Sequence, residues 1–195
     1  MPEIRRLAGL VLLVTLLAGC GGQDRAPAPR PAETATTAAP TSQAPRAAAA
    51  PIRVTIPPLG LDESLVGLGI DAGTGELEVP EDPARVGWFT GGGKPGETYP
   101  TVIVGHKDSR TGPAVFARLT ELEVGEQLSV LDARGQRRTY EVTEVRDVPQ
   151  DSRFPTEDVY GRAAGSQVRL ITCTGPYDRG IGRYTENRVV FASEV

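Results

Sequence analysis

The sequence predicts a mostly β protein, a closed barrel of about eight strands with one or two short helices. Three observations lead there. Between Ile52 and Val195 the chain is a series of short stretches rich in β-branched and apolar residues, set apart by turn signals. One of them, "TVIVG" at 101–105, is an unbroken apolar run that needs cover on both faces. Helical signals are confined to two short turns, which favours a sandwich or a closed barrel. A barrel buries such a run more completely.

The barrel is not the whole of the 195 residues. Residues 1–19 have a basic start at Arg5 and Arg6, an apolar run from Leu7 to Ala18, and small residues before Cys20. This is the anatomy of a secretory signal peptide. The run is shorter than the roughly 20 residues of a membrane-spanning helix. Its ending, "LAGC", resembles the bacterial lipobox, in which cleavage precedes a cysteine that is then lipidated. The resemblance implies a lipid on Cys20. Residues 20–51 then read as that cysteine plus a linker dominated by Ala, Pro and Thr, with no aromatic before Trp88. Such a segment buries too little apolar surface to offset its ordering entropy. As polyproline it reaches on the order of 90 Å at most.

The domain at 52–195 follows. "IRVTIPPLG" is a strand running into a proline-marked bend, and "SLVGLGI" is a second strand. "AGTGELEVP" reads as a turn leading to another strand. "TVIVGH", "EQLSVLD", "RRTYEVTEVRDV", "QVRLITC" and "ENRVVFASE" complete the series, with "DARGQ" at 132–136 as a hairpin tip. Helical turns are predicted around Pro113 to Leu119 and around Thr156 to Tyr160, the second started by Pro155. Trp88 and Phe89 are expected in the core or over the linker side of the barrel.

Composition excludes several functions. The formal net charge is −4 and no lysine run or basic patch stands out, which argues against nucleic-acid binding. Beyond Cys20 there is one cysteine, so no disulfide framework is available. No cluster of His, Cys and carboxylates has metal-ligand spacing, and no cofactor motif occurs. "GGGKPGE" at 91–97 lacks the spacing of a phosphate loop and reads as a connector that can border a groove.

The single histidine, His106, ends one apolar strand, and Cys173 ends another. If the two strands share a sheet, both groups reach one rim. A cysteine attacks as its thiolate, which a histidine can stabilise before protonating a leaving amine. The carbonyl oxygen of an acyl group under attack also needs a donor, and Arg179, Arg183 and Arg188 follow the cysteine. Residue types alone leave two readings open: a catalytic pair, or a small core cysteine and an unrelated histidine.

"VIVGHKDSRTGPAVFARL" followed by "LITCTGPYDRGIGRYTENRVVFA" resembles the sortase family of cysteine transpeptidases, most of all its class F members from high-GC Gram-positive bacteria. The resemblance covers essentially all of 52–195. It implies a sortase-type barrel in which Cys173 is the nucleophile and His106 the proton donor and acceptor. The family's threonine in T-L-x-T-C is replaced here by Arg169. The family's arginine falls at Asn187, and strand alternation favours Arg183 for its role in holding the oxyanion or the substrate. Arg188 takes the role if a bulge shifts the register, Arg179 falls in the turn, and Asp108 and Asp178 are candidates to orient His106. The implied substrates are LPXTG-like sorting signals of secreted proteins, and the implied acceptor is an amine of a cell-wall precursor or a pilin lysine. The implied location is extracytoplasmic, lipid-anchored on the outer face of the membrane. No cofactor or metal is implied.

Two other Cys–His enzyme types fit poorly. An L,D-transpeptidase keeps the cysteine beside a His-Gly in one motif, and a papain-like endopeptidase places the cysteine first. From a different class, the alternative is a non-catalytic surface lipoprotein that binds a wall component and carries an inert Cys173.

Overall fold

The computed structural model describes residues 47–195 except Ser152. The signal peptide, Cys20 and the linker up to residue 46 lie outside the described residues. The described part holds ten strands: β1 (Pro51–Ile56), β2 (Leu61–Leu68), β3 (Val86–Phe89), β4 (Thr101–Gly105), β5 (Asp108–Ser109), β6 (Gly112–Pro113), β7 (Gln127–Asp132), β8 (Arg137–Pro149), β9 (Gln167–Asp178) and β10 (Arg183–Glu194). A short helix, α1, spans Thr156–Tyr160, and 3-10 turns occupy Pro57–Leu59 and Leu119–Glu121. Eight strands close a barrel in the order β1-β2-β3-β4-β9-β10-β8-β7, as expected, and β5 and β6 form a separate two-stranded ribbon.

The barrel interior is filled by Val54, Ile56, Trp88, Ile103, Leu128, Tyr140, Leu170 and Val190, among others. A second apolar cluster lies on the outer face of the same sheet. There Val102, Val104, Ile171, Val189 and Phe191 are covered by Val159 of α1, with Phe89, Phe154 and Tyr160 packed against them. This outer layer explains the unbroken run of β4, whose five residues are all buried. Odd positions face the lumen and even positions face α1, so both faces favour apolar side chains. The one polar residue of the strand, Thr101, is fully buried, and its hydroxyl has no partner among the described residues.

Two sequence expectations change. "AGTGELEVP" forms no strand; only a bridge between Ile70 and Leu77 remains in a long loop. Asp71 Oδ1 accepts from the backbone N–H groups of Gly73 and Thr74 and closes the chain into a turn. The strand in this region is β3, "VGWF", which lies parallel to β2 after that crossover. The helical turn expected near Pro113 forms at Leu119–Glu121, because Gly112 and Pro113 are taken up by the ribbon.

Gly105 ends β4 and is packed tightly. A Cβ there would lie 2.7 Å from Phe116 Cδ2 and 2.9 Å from Val115 Cγ1. Phe116 is fully buried and its backbone N–H donates to the His106 carbonyl at 2.8 Å. Gly105→Ala must therefore displace either the core phenylalanine or the strand end. The expected cost is about 1–3 kcal/mol, the usual penalty of overpacking, read as a lowered denaturation midpoint.

Candidate active site

The site is built by the order of strands at one rim. β4 and β9 are parallel, with Ile103 beside Leu170 and Val104 beside Ile171. Continued past the strand end, the same offset sets His106 beside Cys173. Across the next two pairings, Cys173 stands opposite Asn187, and Asn187 opposite Val148. His106, Cys173, Asn187 and Val148 thus form one row on the outer face, with about 4.8 Å between neighbouring strands. Cys173 is a half-buried free thiol in the middle of it.

His106 is fixed by a loop rather than by a carboxylate. Its Nε2 lies 2.7 Å from the carbonyl oxygen of Pro80. A carbonyl only accepts, so Nε2 carries the proton and Nδ1 is the nitrogen available for exchange. Asp108 accepts instead from the Tyr184 hydroxyl, and Asp178 from the backbone N–H of Gly180. Neither carboxylate bonds His106 among the described contacts. Lys107 Nζ lies 4.5 Å from the Tyr184 ring centre, which draws the β9–β10 hairpin towards the end of β4. Hydrogen bonding to Asp108, aided by burial, pushes the Tyr184 phenol up to about 12.

Burial pushes the Cys173 thiol up, the Gln150 amide pulls it back, Asp108 raises it and Lys107 lowers it. Gln150 was not singled out from the sequence. Its Nε2 lies 3.6 Å from Cys173 Sγ, 2.8 Å from Asn187 Oδ1 and 3.0 Å from the Glu186 carbonyl oxygen. A polar residue in "PQDS" reads as part of a turn, and its partners lie more than twenty residues away in sequence, so no local signal marks it.

The arginines are placed elsewhere. β9 holds Gly175 and Pro176 opposite the single residue Thr185, so the register slips between Tyr184 and Glu186. Gly175 has φ of 73°, as an inserted glycine in a bulge requires. Arg183 consequently pairs in register with Asp178, well along the hairpin from Cys173. Its guanidinium lies 3.4 Å from Glu76, with side chains 48% and 69% exposed. Arg188 stands opposite Thr172, one residue off the cysteine row. It is clamped by both Asp147 oxygens at 2.7 Å and by the Thr120 carbonyl at 3.1 Å. Residue 187, where the sequence pattern expects arginine, is the asparagine that faces Cys173.

Arg169 is only 5% exposed yet charged. Its guanidinium lies 4.4 Å from the Phe191 ring centre and donates to Gln167 Oε1 at 2.6 Å. Burial pushes it down to about 10, so it stays protonated at neutral pH. It lies on β9 on the Ile171 face and helps seat α1 through the Asp158 carbonyl. "GGGKPGE" does not border the cysteine. Gly96 N–H bonds Ser166 Oγ just before β9 begins, the strand's opposite end from Cys173. Among the described residues no group of three or more His, Cys, Asp or Glu is arranged to hold a metal.

A cleft of about 410 Å³ opens beside the row, lined by Pro149, Gln150, Ile181, Arg183, Tyr184 and Glu186 among others. A second, of about 710 Å³, runs along the 66–85 segment past Glu76 and Pro80, the two residues that hold Arg183 and His106.

Comparison with known proteins decides the family. The Sortase domain profile matches residues 54–195. The chain belongs to the sortase family. Solved sortases share the fold. Sortase C1 from Streptococcus agalactiae is 22% identical, with a TM-score of 0.55 over 73% of this chain and 66% of that chain. Sortase C-1 from Actinomyces oris is 26% identical, with a TM-score of 0.54 over 73% and 72%. The Clostridium perfringens sortase D5 transpeptidase is 18% identical, with a TM-score of 0.54 over 73% and 77%. The chain thus spans just under two thirds of the first of these. No curated protein sequence matches it. Sortases are cysteine transpeptidases that act on sorting signals and amine acceptors in general.

Two outcomes test this geometry. Because the thiol is shifted upward, alkylation of Cys173 by iodoacetamide should rise with pH to a midpoint above that of a free thiol. At pH 7 it should run below the few per cent thiolate of an unperturbed cysteine. Gly175→Ala forces φ of 73° on a side chain whose Cβ would lie 2.8 Å from Glu186 Oε2. It should cost about 1–2 kcal/mol in chemical denaturation.

Proposed function

We propose that this protein is a cell-surface sortase of the class F type, which cleaves an LPXTG-like C-terminal sorting signal and transfers the upstream protein to an amine. The observation that carries this reading is the placement of His106 and Cys173 side by side at one rim, within a domain of the sortase family. The short lipid-linked layout and the closing "ENRVVFASE" favour class F. Export and a lipid on Cys20 follow from the resemblance of "LAGC" to a lipobox. They place the enzyme on the outer face of the membrane.

The reaction starts with the thiol. Cys173 gives its proton to His106 as the peptide excludes water, and the thiolate attacks the carbonyl carbon of the threonine-like residue. The C–S bond forms while the carbonyl π pair moves to oxygen. When that pair returns, the C–N bond breaks and the amine leaves with the proton held by His106. The acceptor amine, from a wall precursor or a pilin lysine, then attacks the thioester in reverse order. His106 takes its proton and returns one to Cys173. Arg183, exposed at the cleft and weakly tied to Glu76, is positioned to exchange that carboxylate for the sorting peptide. No cofactor takes part.

Incubation of the soluble domain with peptides bearing LPXTG-like motifs, followed by mass spectrometry of Cys173, tests the reading. A trapped acyl-thioester is expected, absent in Cys173→Ala. His106→Ala should slow turnover by about 10²–10⁴-fold, the usual worth of a positioned acid–base group. An inert Cys173 with no processing of any peptide would instead support the wall-binding lipoprotein. Arg183→Ala should raise KM with little change in kcat. Arg188→Ala should lower stability by about 1 kcal/mol or less and leave both constants in place. The reverse pattern assigns the role to Arg188.

A further inference from the structure

We propose that the side-chain amide of Gln150, braced by Asn187, is the catalytic donor that receives the carbonyl oxygen of the substrate at Cys173. This rests on the transpeptidase reading above and adds a residue to it.

The first argument is position. Cys173 has His106 on one side of the row and Asn187 with Gln150 on the other. A carbonyl carbon bound at Sγ, with its leaving nitrogen turned to His106, presents its oxygen away from the histidine. The groups on that side are amides, not a guanidinium. Arg188 is held by Asp147 and the Thr120 carbonyl, and Arg183 by Glu76 farther along the hairpin.

The second argument is orientation. Glu186 offers Gln150 a backbone carbonyl at 3.0 Å, which only accepts. The atom facing it must be the NH2 nitrogen, and this settles the amide's flip. One proton is committed to that carbonyl. The other is shared between Asn187 Oδ1 at 2.8 Å and Cys173 Sγ at 3.6 Å. The donor is therefore aimed at the reacting sulfur before substrate arrives. Its main chain is also held, because the Gln150 N–H donates to the Thr185 carbonyl at 3.0 Å. Preorganisation of this kind makes a donor effective against charge that develops only in the transition state.

The third argument is continuity through the step. While Cys173 is a thiolate, the N–H···S bond gains charge assistance. Once the sulfur pair has become the C–S bond, negative charge sits on the carbonyl oxygen. The same proton then turns from sulfur to that oxygen. As the C–N bond breaks and the carbonyl re-forms, the amide is left unchanged. The Gln150 hydrogen bond already draws the thiol's titration down against the upward pull of burial.

The experiment compares wild type, Gln150→Ala, the near-isosteric Gln150→Glu and Asn187→Ala, each checked for a native melting transition. Two readouts are taken: the thiolate absorbance of Cys173 against pH, and the single-turnover rate of thioester formation with an LPXTG-like peptide. Both Gln150 variants should shift the thiolate midpoint upward and slow acylation by about 10²-fold at saturating peptide. Asn187→Ala, which removes the brace and keeps the donor, should lose less. If Gln150→Ala fails to fold, Gln150→Glu keeps the side-chain length and carries the test. Wild-type acylation rates in a folded Gln150 variant overturn the donor role and leave the sortase reading standing. A wild-type protein that forms no thioester with any peptide overturns that reading and the donor role with it. In that case an unshifted thiolate midpoint in the variants would also remove Gln150 from the cysteine.

Discussion

The rim chemistry depends on the parallel pairing of β4 with β9. Parallel neighbours run in the same direction, so their carboxyl ends arrive at the same edge at a constant offset. His106 directly follows β4, Cys173 lies within β9 at the level where β4 ends, and the offset that sets Val104 beside Ile171 also sets His106 beside Cys173. Antiparallel pairing of the same segments would send the two groups to opposite ends of the barrel. Parallel pairs are stable where both faces are covered. Here the lumen side chains cover one face, and α1 with Phe89, Phe154 and Tyr160 covers the other. A short helix of five residues is thus part of what brings histidine and cysteine together.

That outer layer has an electrostatic consequence. Cys173 continues the row of Ile171 on the buried outer face, so desolvation keeps its thiol protonated in the resting protein. The nearby charges of Asp108 and Lys107 oppose each other. A resting thiol that ionises poorly is protected from adventitious oxidation and alkylation. In the proposed reaction it depends on His106 and on a local donor to become a nucleophile. Arg169 shows how the same layer accommodates a charge. The guanidinium is spread over the Phe191 ring and bonded to Gln167, while the like-charged Arg146, 4.9 Å from the same ring, is paired with Glu144 and Asp158. The threonine of the family motif is replaced without leaving that guanidinium wholly unpartnered.

Much of this was legible in the sequence. Strands dense in Val, Ile and Leu announce themselves, and the histidine and cysteine close the apolar runs that mark β4 and β9. α1 follows Pro155 as its start signal predicts. What failed was whatever depended on a distant partner. "VGWF" is four residues long and pairs with β2 only after a crossover, so no hairpin signal marks it. "ELEVP" alternates like a strand but meets only the Ile70–Leu77 bridge of its own hairpin, closed by the Asp71 turn, and joins no sheet. Gln150 owes its place to Thr185, Glu186 and Asn187, which lie on another strand.

The arginine question shows why strand alternation is insufficient here. Counting by twos from Asn187 to Arg183 assumes an unbroken ladder. The ladder breaks at Thr185, where Gly175 and Pro176 stand against one residue. Beyond that bulge the hairpin carries Arg183 out to Glu76 and Tyr184 over to Asp108. At the bulge itself, the Thr185 carbonyl is the acceptor for the Gln150 backbone N–H. One irregularity therefore does two things: it takes a guanidinium off the cysteine row and latches the residue after β8, whose amide the proposed reaction uses in its place. A glycine able to adopt a positive φ immediately after "TCT" is the residue on which that exchange turns.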